Sequence, residues 1–248
     1  MRENPILQES LTIYFSEGHG FAPYFYLLII LAPVQFLSLY LPSLDVQMWS
    51  GSANLFKISA VTVLLLTVYL GLRVANQEFA SWRFKPLKRW VHETGLSASA
   101  VHRGQLGFLL FHCLFSVFLC MPFLMWAGAI ARTPLPRVLV TFVLLLFYAL
   151  CYSIWGLVTL VLWERRAESR QVFIRCFFFC LVIFSVLFYL PLNPVAFLLA
   201  YLGRQELAPL TLAGWKAPAA TIHLTFHLLL GSAGVVAHRW ALMRDYKV

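Results

Sequence analysis

Charged side chains are absent from six stretches of the chain, residues 20–44, 58–72, 104–131, 138–163, 176–203 and 217–237. A helix needs about 20 apolar residues to cross the hydrocarbon of a bilayer. Five of the stretches meet or exceed that length, and the shorter 58–72 is completed by Lys57 and Arg73, whose aliphatic stems lie along lipid while their charges reach water. The pattern predicts an all-α, polytopic membrane protein with six transmembrane helices. The longest polar interval is 76–103, too short for a soluble domain, and no internal repeat or low-complexity linker interrupts the chain, so 1–248 reads as a single transmembrane domain.

Two segments depart from plain spans. In the leader, residues 1–20, a helical projection puts Leu7, Leu11, Tyr14 and Phe15 on one face and Glu9 and Thr12 on the other, with Gly18–His19–Gly20 as a break. This predicts an amphipathic helix along the membrane interface. The leader carries Glu3, Glu9 and Glu17 ahead of the first apolar run, unlike a cleaved signal peptide, so that run is expected to stay in the mature protein. In 191–218, Pro191 and Pro194 interrupt an apolar stretch too short to cross twice, which predicts a broken or re-entrant segment before the last span. Pro33 and Pro122 are expected to kink their helices.

Composition supports this picture: 61% of the 248 residues are hydrophobic and only 12% are charged, against about 25% charged in soluble domains. The net charge of +9 has a topological cause. With a cytoplasmic N-terminus, 14 of the 19 basic residues fall on the inner side, leaving Lys57, Arg132, Arg137, Arg204 and Lys216 outside. The positive-inside rule therefore predicts that both termini are cytoplasmic. Nucleic-acid binding has no support, because the charges flank spans and form no basic fold of their own. The cysteines, Cys113, Cys120, Cys151, Cys176 and Cys180, form no CxxC pair and read as buried, reduced packing residues.

Candidate chemistry is sparse. No phosphate-binding GxxxxGK[ST] loop occurs, so ATP would have to be handled by another chain. No Asp or Glu lies within a predicted span, which disfavours an ion-coupled carrier. A Ser-His-Asp constellation for hydrolysis is likewise lacking in the spans. His112 on the third span, with His223 and His227 at i, i+4 on the sixth, raises a haem-binding electron carrier as an alternative, beside a non-transporting assembly scaffold. Bonding of these histidines to neighbouring helices is the better-supported reading. Gly231, Ser232, Ala233 and Gly234 give the sixth span a small face for close helix contact, and Trp49, Trp126, Trp155, Trp163 and Trp240 read as interfacial anchors.

Three pieces of sequence resemble the membrane subunit of a type-2 ABC transporter: the leader "NPILQE", the segment "PLKRWVHETGLSASAVHRGQL" ahead of the third span, and "LPLNPVAFLLAYL" after the fifth. The basic "RFKPLKRW" departs from the acidic approach usual in that family. The resemblance implies a permease subunit in the plasma (bacterial inner) membrane, working as an exporter. It would form a pathway with a second copy or a similar chain, while separate cytoplasmic ATP-binding subunits carry ATP and Mg and dock on the 76–104 coupling loop. No cofactor or metal, and no catalytic residue, is then expected on this chain. The docking element implied is Trp90, Val91, His92, Glu93, Thr94, Gly95, Leu96 and Ser97. Trp90, Val91 and Leu96 would fill a groove on the partner, Glu93 would pair with a basic residue there, and Thr94, Gly95, Ser97 and Ser99 would form caps and a turn.

Overall fold

The computed structural model of the chain describes residues 4–16, 21–40, 54–75, 87–212 and 215–245. The elements are α1 (Pro5–Ser16), α2 (Phe21–Tyr26), a π-helical turn (Leu27–Leu31), α3 (Ala32–Tyr40), α4 (Leu55–Ala75), α5 (Leu87–Thr94), α6 (Ala98–Ile130), α7 (Leu135–Leu162), α8 (Ala167–Phe188), a 3₁₀ turn (Leu190–Leu192), α9 (Pro194–Gly203), β1 (Leu210–Leu212), β2 (Trp215–Ala217) and α10 (Ala219–Asp245). Six helical segments are long and apolar enough to cross a bilayer: Pro23–Tyr40, which runs through the π turn, and those in α4, α6, α7, α8 and α10. The protein is an all-α, membrane-integral chain whose described sheet is one short antiparallel hairpin pairing Leu210 with Ala217.

Helix ends differ from the charge-free runs because cations enter the helices. α6 starts at Ala98 and carries His102 and Arg103 in its opening turns, and α8 starts at Ala167 with Arg170 and Arg175 inside it. The run 176–203 is not one span. α8 ends at Phe188, the chain turns through Leu190–Leu192, and α9 follows as a separate helix of 10 residues. At about 1.5 Å per residue α9 is near 15 Å long, half the hydrocarbon thickness. A broken segment stands where it was expected. The Gly18–Gly20 break, Trp49 and the 76–86 part of the coupling loop lie outside the described residues.

α4 and α7 form the centre: 67% and 61% of their most apolar stretches are buried, against 11% for α8. Glycine sets their spacing. A Cβ on Gly156 of α7 would lie 2.7 Å from the Ala75 Cβ and 2.8 Å from the Leu72 carbonyl oxygen, closer than atoms approach, so the backbones of α4 and α7 touch only because position 156 has no side chain. On α10 the contacts are with side chains of α7: a Cβ on Gly234 would lie 2.5 Å from Ile154 Cγ2, and one on Gly231 a tight 3.1 Å from Cys151 Sγ. Ser232 and Ala233, expected on that small face, are exposed instead. Among the cysteines, Cys113, Cys120 and Cys151 are buried, whereas Cys176 and Cys180 sit exposed on α8, a correction to the expectation that all five pack inside.

The leader is a helix, as expected, and the face it turns to the bundle is offset from the apolar face read in the sequence. Ile6, Ser10 and Tyr14, four residues apart, are buried, Leu7 and Leu11 lie beside them half-buried, and Phe15 is 48% exposed. α1 lies against the first half of α6, and Tyr14 is enclosed edge-on by Phe108, Phe111 and Phe115. Both Asn-Pro pairs act alike. Asn4 Oδ1 accepts from the Ile6 and Leu7 amides while its Nδ2 donates to the Ala100 carbonyl. Asn193 Oδ1 accepts from Val195 and Ala196 while its Nδ2 donates to the Val182 carbonyl. In each case the asparagine caps the new helix, proline takes the first position where no amide hydrogen is needed, and the spare amide pins that helix start to a neighbour.

Candidate functional site

The sequence element Trp90–Ser97 is a tight helix–turn–helix corner. Gly95 ends α5 with φ +66°, the left-handed conformation that glycine adopts without strain. The Leu96 amide donates to the Val91 carbonyl and the Gly95 amide to the His92 carbonyl, a Schellman ending. Two residues later Ser97 caps α6 by accepting from the Ala100 amide at 3.2 Å. The small-residue turn therefore stops one helix and starts the next with no intervening loop.

This corner is wired into the bundle. Leu87 and Val91 of α5 are buried in one cluster with Ile6 of α1, Val101 of α6, Val161 of α7 and Ala241 and Leu242 of α10, with Leu96 and Ala98 packed against it. Val91 is 4% exposed, so it fills this protein's own core and is not free to enter a groove on a partner; Leu96 is half-buried on the same cluster. What faces outward is polar: Arg89, His92, Glu93, Thr94, Gly95 and Ser97 are exposed, with Arg89 Nε bonded to Glu93 Oε1 at 3.0 Å along the helix. Trp90 belongs to α5 by its backbone.

The histidines form the second constellation. His223 Nδ1 lies 2.7 Å from the Pro191 carbonyl, and His227 Nδ1 2.8 Å from the His223 carbonyl. A carbonyl only accepts, so both Nδ1 atoms carry the hydrogen. Each Nε2 is then a lone-pair acceptor and receives a tyrosine hydroxyl, Tyr148 to His223 at 2.7 Å and Tyr152 to His227 at 2.9 Å. Tyr148 and Tyr152 on α7, and His223 and His227 on α10, are each one turn apart, and the two helices run parallel, so the pairs match rung for rung. Phe197 of α9 stacks on His223 with centroids 3.9 Å apart. The ladder joins α7, α10, the 3₁₀ turn and α9, and leaves neither ring a free nitrogen for haem iron.

His112 is likewise engaged, with Nδ1 2.8 Å from the Tyr14 hydroxyl and Nε2 3.3 Å from Ser116 Oγ. Burial, with a smaller contribution from nearby Cys113, holds the Tyr14 phenol well above the ordinary tyrosine range, so it stays protonated. Among the described residues no group of three or more His, Cys, Asp or Glu is placed to hold a metal ion.

Two buried polar contacts were missed by the sequence reading. His102 and His238 bring their Nδ1 atoms to 2.9 Å, and His238 Nε2 lies 2.9 Å from Gln105 Oε1, tying α6 to α10 just inside the corner. Gln35, 3% exposed in the first span, donates to Ser59 Oγ and to the Phe123 carbonyl, joining three helices. Gln35 is the sole amide in the run 20–44, and an amide within such a run is the signal that could have found it. No protein-family description, curated protein or solved structure matches this chain.

Proposed function

We propose that this chain is the permease subunit of an ATP-driven exporter in a bacterial inner membrane. Its termini and the α5–α6 corner lie on the cytoplasmic side, and ATP-binding subunits dock on that corner. The observation that carries the reading is the corner's construction. A short helix with a polar outer face is rooted in a cluster that holds the ends of α6, α7 and α10 together with α1. A subunit that grips the outer face would move three membrane helices at once, which suits transmission of force from outside the membrane. The basic residues support the orientation, because Arg89, Arg103, Arg165, Arg166, Arg170, Arg175, Arg239 and Arg244 all gather at the end bearing this cluster. Exposed apolar residues on the first span and on α8, among them Phe25, Phe36, Ile183 and Leu187, offer surface to lipid or a second copy.

Because Val91 and Leu96 serve the protein's own core, docking is assigned to Arg89, His92, Glu93 and Ser97. The test places a photo-crosslinking amino acid at His92 or Ser97 in native cells, with the same residue at exposed Val172 on α8 as control. Crosslinks from the corner alone to an ATP-hydrolysing protein support the reading. Its failure would be shown by a Glu93→Arg variant, normally inserted, that retains full ATPase co-purification together with a corner that crosslinks no such protein.

A further inference from the structure

The opposite end of the bundle carries few cations, and they are gathered. Of the five basic residues expected there, Lys57, Arg132, Arg137 and Arg204 line one cavity of about 270 Å³, and only Lys216, in the hairpin, stands apart. Three separate parts of the chain supply them: the first turn of α4, the turn and helix start joining α6 to α7, and the end of α9. Phe56, Ala131, Pro134 and Leu202 provide the apolar wall, and among the described residues no Asp or Glu lines the cavity. Glu206, near in sequence, lines a different pocket with Gln205. Among the described residues none of the four cations is engaged by a carboxylate.

Ordinary structural reasons do not account for the set. Arg132 and Arg204 each close a helix in the left-handed conformation, at φ 52° and 55°. Each has the same pair of backbone bonds that Gly95 makes: Thr133 to Gly128 and Arg132 to Ala129, then Gln205 to Ala200 and Arg204 to Tyr201. Glycine serves that position without strain, as it does at Gly95, so a helix ending alone gives no reason for two arginines. Arg137 lies in the first turn of α7, where the helix dipole disfavours a cation. An anion seated among the four resolves both features, for it would lie at the positive end of the α7 dipole and meet three guanidinium groups, which form bidentate bonds with phosphate oxygens.

We infer that this cavity is a binding site for a phosphate group, carried by a lipid headgroup or by a free phosphate. Its volume fits a headgroup and not a whole lipid, and its place at the end of the spans is the level at which lipid phosphates lie. The site stands independently of the transport reading, since it needs neither an ATPase nor a second copy.

The test uses the full chain purified into nanodiscs, of phosphatidylcholine alone for the first arm and of phosphatidylcholine and phosphatidylglycerol in equal parts for the second. One arm titrates inorganic phosphate calorimetrically, and the other counts phosphatidylglycerol retained over phosphatidylcholine by native mass spectrometry. The decisive variant is the double Arg132→Gly, Arg204→Gly, which removes two charges and fits the left-handed backbone better than arginine, so its Tm is unchanged or raised. Lys216→Gln is the control for charge outside the cavity. Saturable binding of inorganic phosphate identifies a free anion, and selective retention of phosphatidylglycerol without it identifies a headgroup. Either is expected to weaken by about tenfold for each arginine removed and to be unchanged by Lys216→Gln. The inference is overturned if the wild type favours neither ligand, if the double variant binds as well as wild type, or if Lys216→Gln weakens binding as much as the double variant does.

Discussion

Replacing His223 with Leu removes the residue on which three elements converge. The Pro191 carbonyl and the Tyr148 hydroxyl lose their partner within the bundle, and Phe197 loses a ring stacked at 3.9 Å. A buried group left without its bond costs about 1–3 kcal/mol. Interhelical bonds in membrane proteins are weaker when measured, averaging about 0.6 kcal/mol, because the loosened chain finds other partners. Two such bonds plus an aromatic contact of about 0.5–1.5 kcal/mol give a loss of about 2–4 kcal/mol. Tyr148→Phe breaks one bond and keeps the ring, so it should cost about 1 kcal/mol. In a chain of this size that difference separates the two apparent Tm values by roughly 2–12 °C. The assay is thermal unfolding in detergent followed by size-exclusion chromatography.

A second readout isolates the broken segment. His227→Leu also removes two bonds, to Tyr152 and to the His223 carbonyl, but touches neither Pro191 nor Phe197 of α9 by a hydrogen bond or a stack. Both histidine variants should therefore be destabilised, while trypsin cleavage after exposed Arg204 should accelerate only in His223→Leu. If His223→Leu melts no lower than Tyr148→Phe, or if both histidine variants are nicked at the same rate, the ladder does not hold the broken segment and the reasoning fails.

Gly156→Ala should lower the apparent Tm by overpacking worth about 1–3 kcal/mol, since the new methyl meets the Leu72 backbone, whereas Gly107→Ala, which faces only the mobile methyls of Leu7 at 3.5 Å and beyond, should be neutral or stabilising in the same assay. Asn193→Ala removes a cap and an anchor together and should cost about 1–2 kcal/mol, with more trypsin cleavage after Arg204 than wild type. In a background lacking Cys176 and Cys180, cysteines at His92 and Gln205 should label from opposite sides of intact cells or vesicles, His92→Cys from the cytoplasm. Labelling of both from one side would overturn the six-span arrangement.

The spans were legible because lipid enforces apolar length, and the broken segment was legible because proline cannot continue a helix. Helix ends were not, since arginines such as Arg170 and Arg175 extend a helix beyond its apolar run at no great cost when their charges reach water. The face that the leader turns to the bundle was not legible, for a reason specific to membranes. In water the widest apolar stripe must turn inward, but beside lipid Phe15 loses nothing by facing out. The choice then falls to fit: Ser10 permits close approach to α6, and the Tyr14 hydroxyl reaches His112. Polar partners across 75 to 136 residues of sequence, such as Tyr148 with His223 or His102 with His238, have no local signature at all. The turn at Gly95 was readable as a turn, yet which apolar residues it would hand to the core and which to the surface depended on helices far along the chain.

The two constellations divide the molecule mechanically. Contiguity alone is not coupling, because a force must also find an element with two arrangements. α7 and α10 share the tyrosine–histidine ladder, glycine contacts at Gly231 and Gly234, and the corner's cluster, so they resist sliding and would move as one body. α4 joins that body through Gly156. α8 buries the smallest share of its most apolar stretch, 11%, and so has the least to lose by shifting, whereas α10 at 22% and the first span at 28% are held to the centre by their polar bonds. The π turn at Leu27–Leu31 already departs from α-helical bonding next to Pro33, with the Ala32 amide donating to the Leu27 carbonyl, which makes it the least costly place in that span to bend. In the transport reading, a pull on α5 therefore moves α6, α7 and α10 against a first span that is hinged and held to them through Gln35, and the Gln35 bonds to Ser59 and Phe123 are where that relative motion must be accommodated or broken.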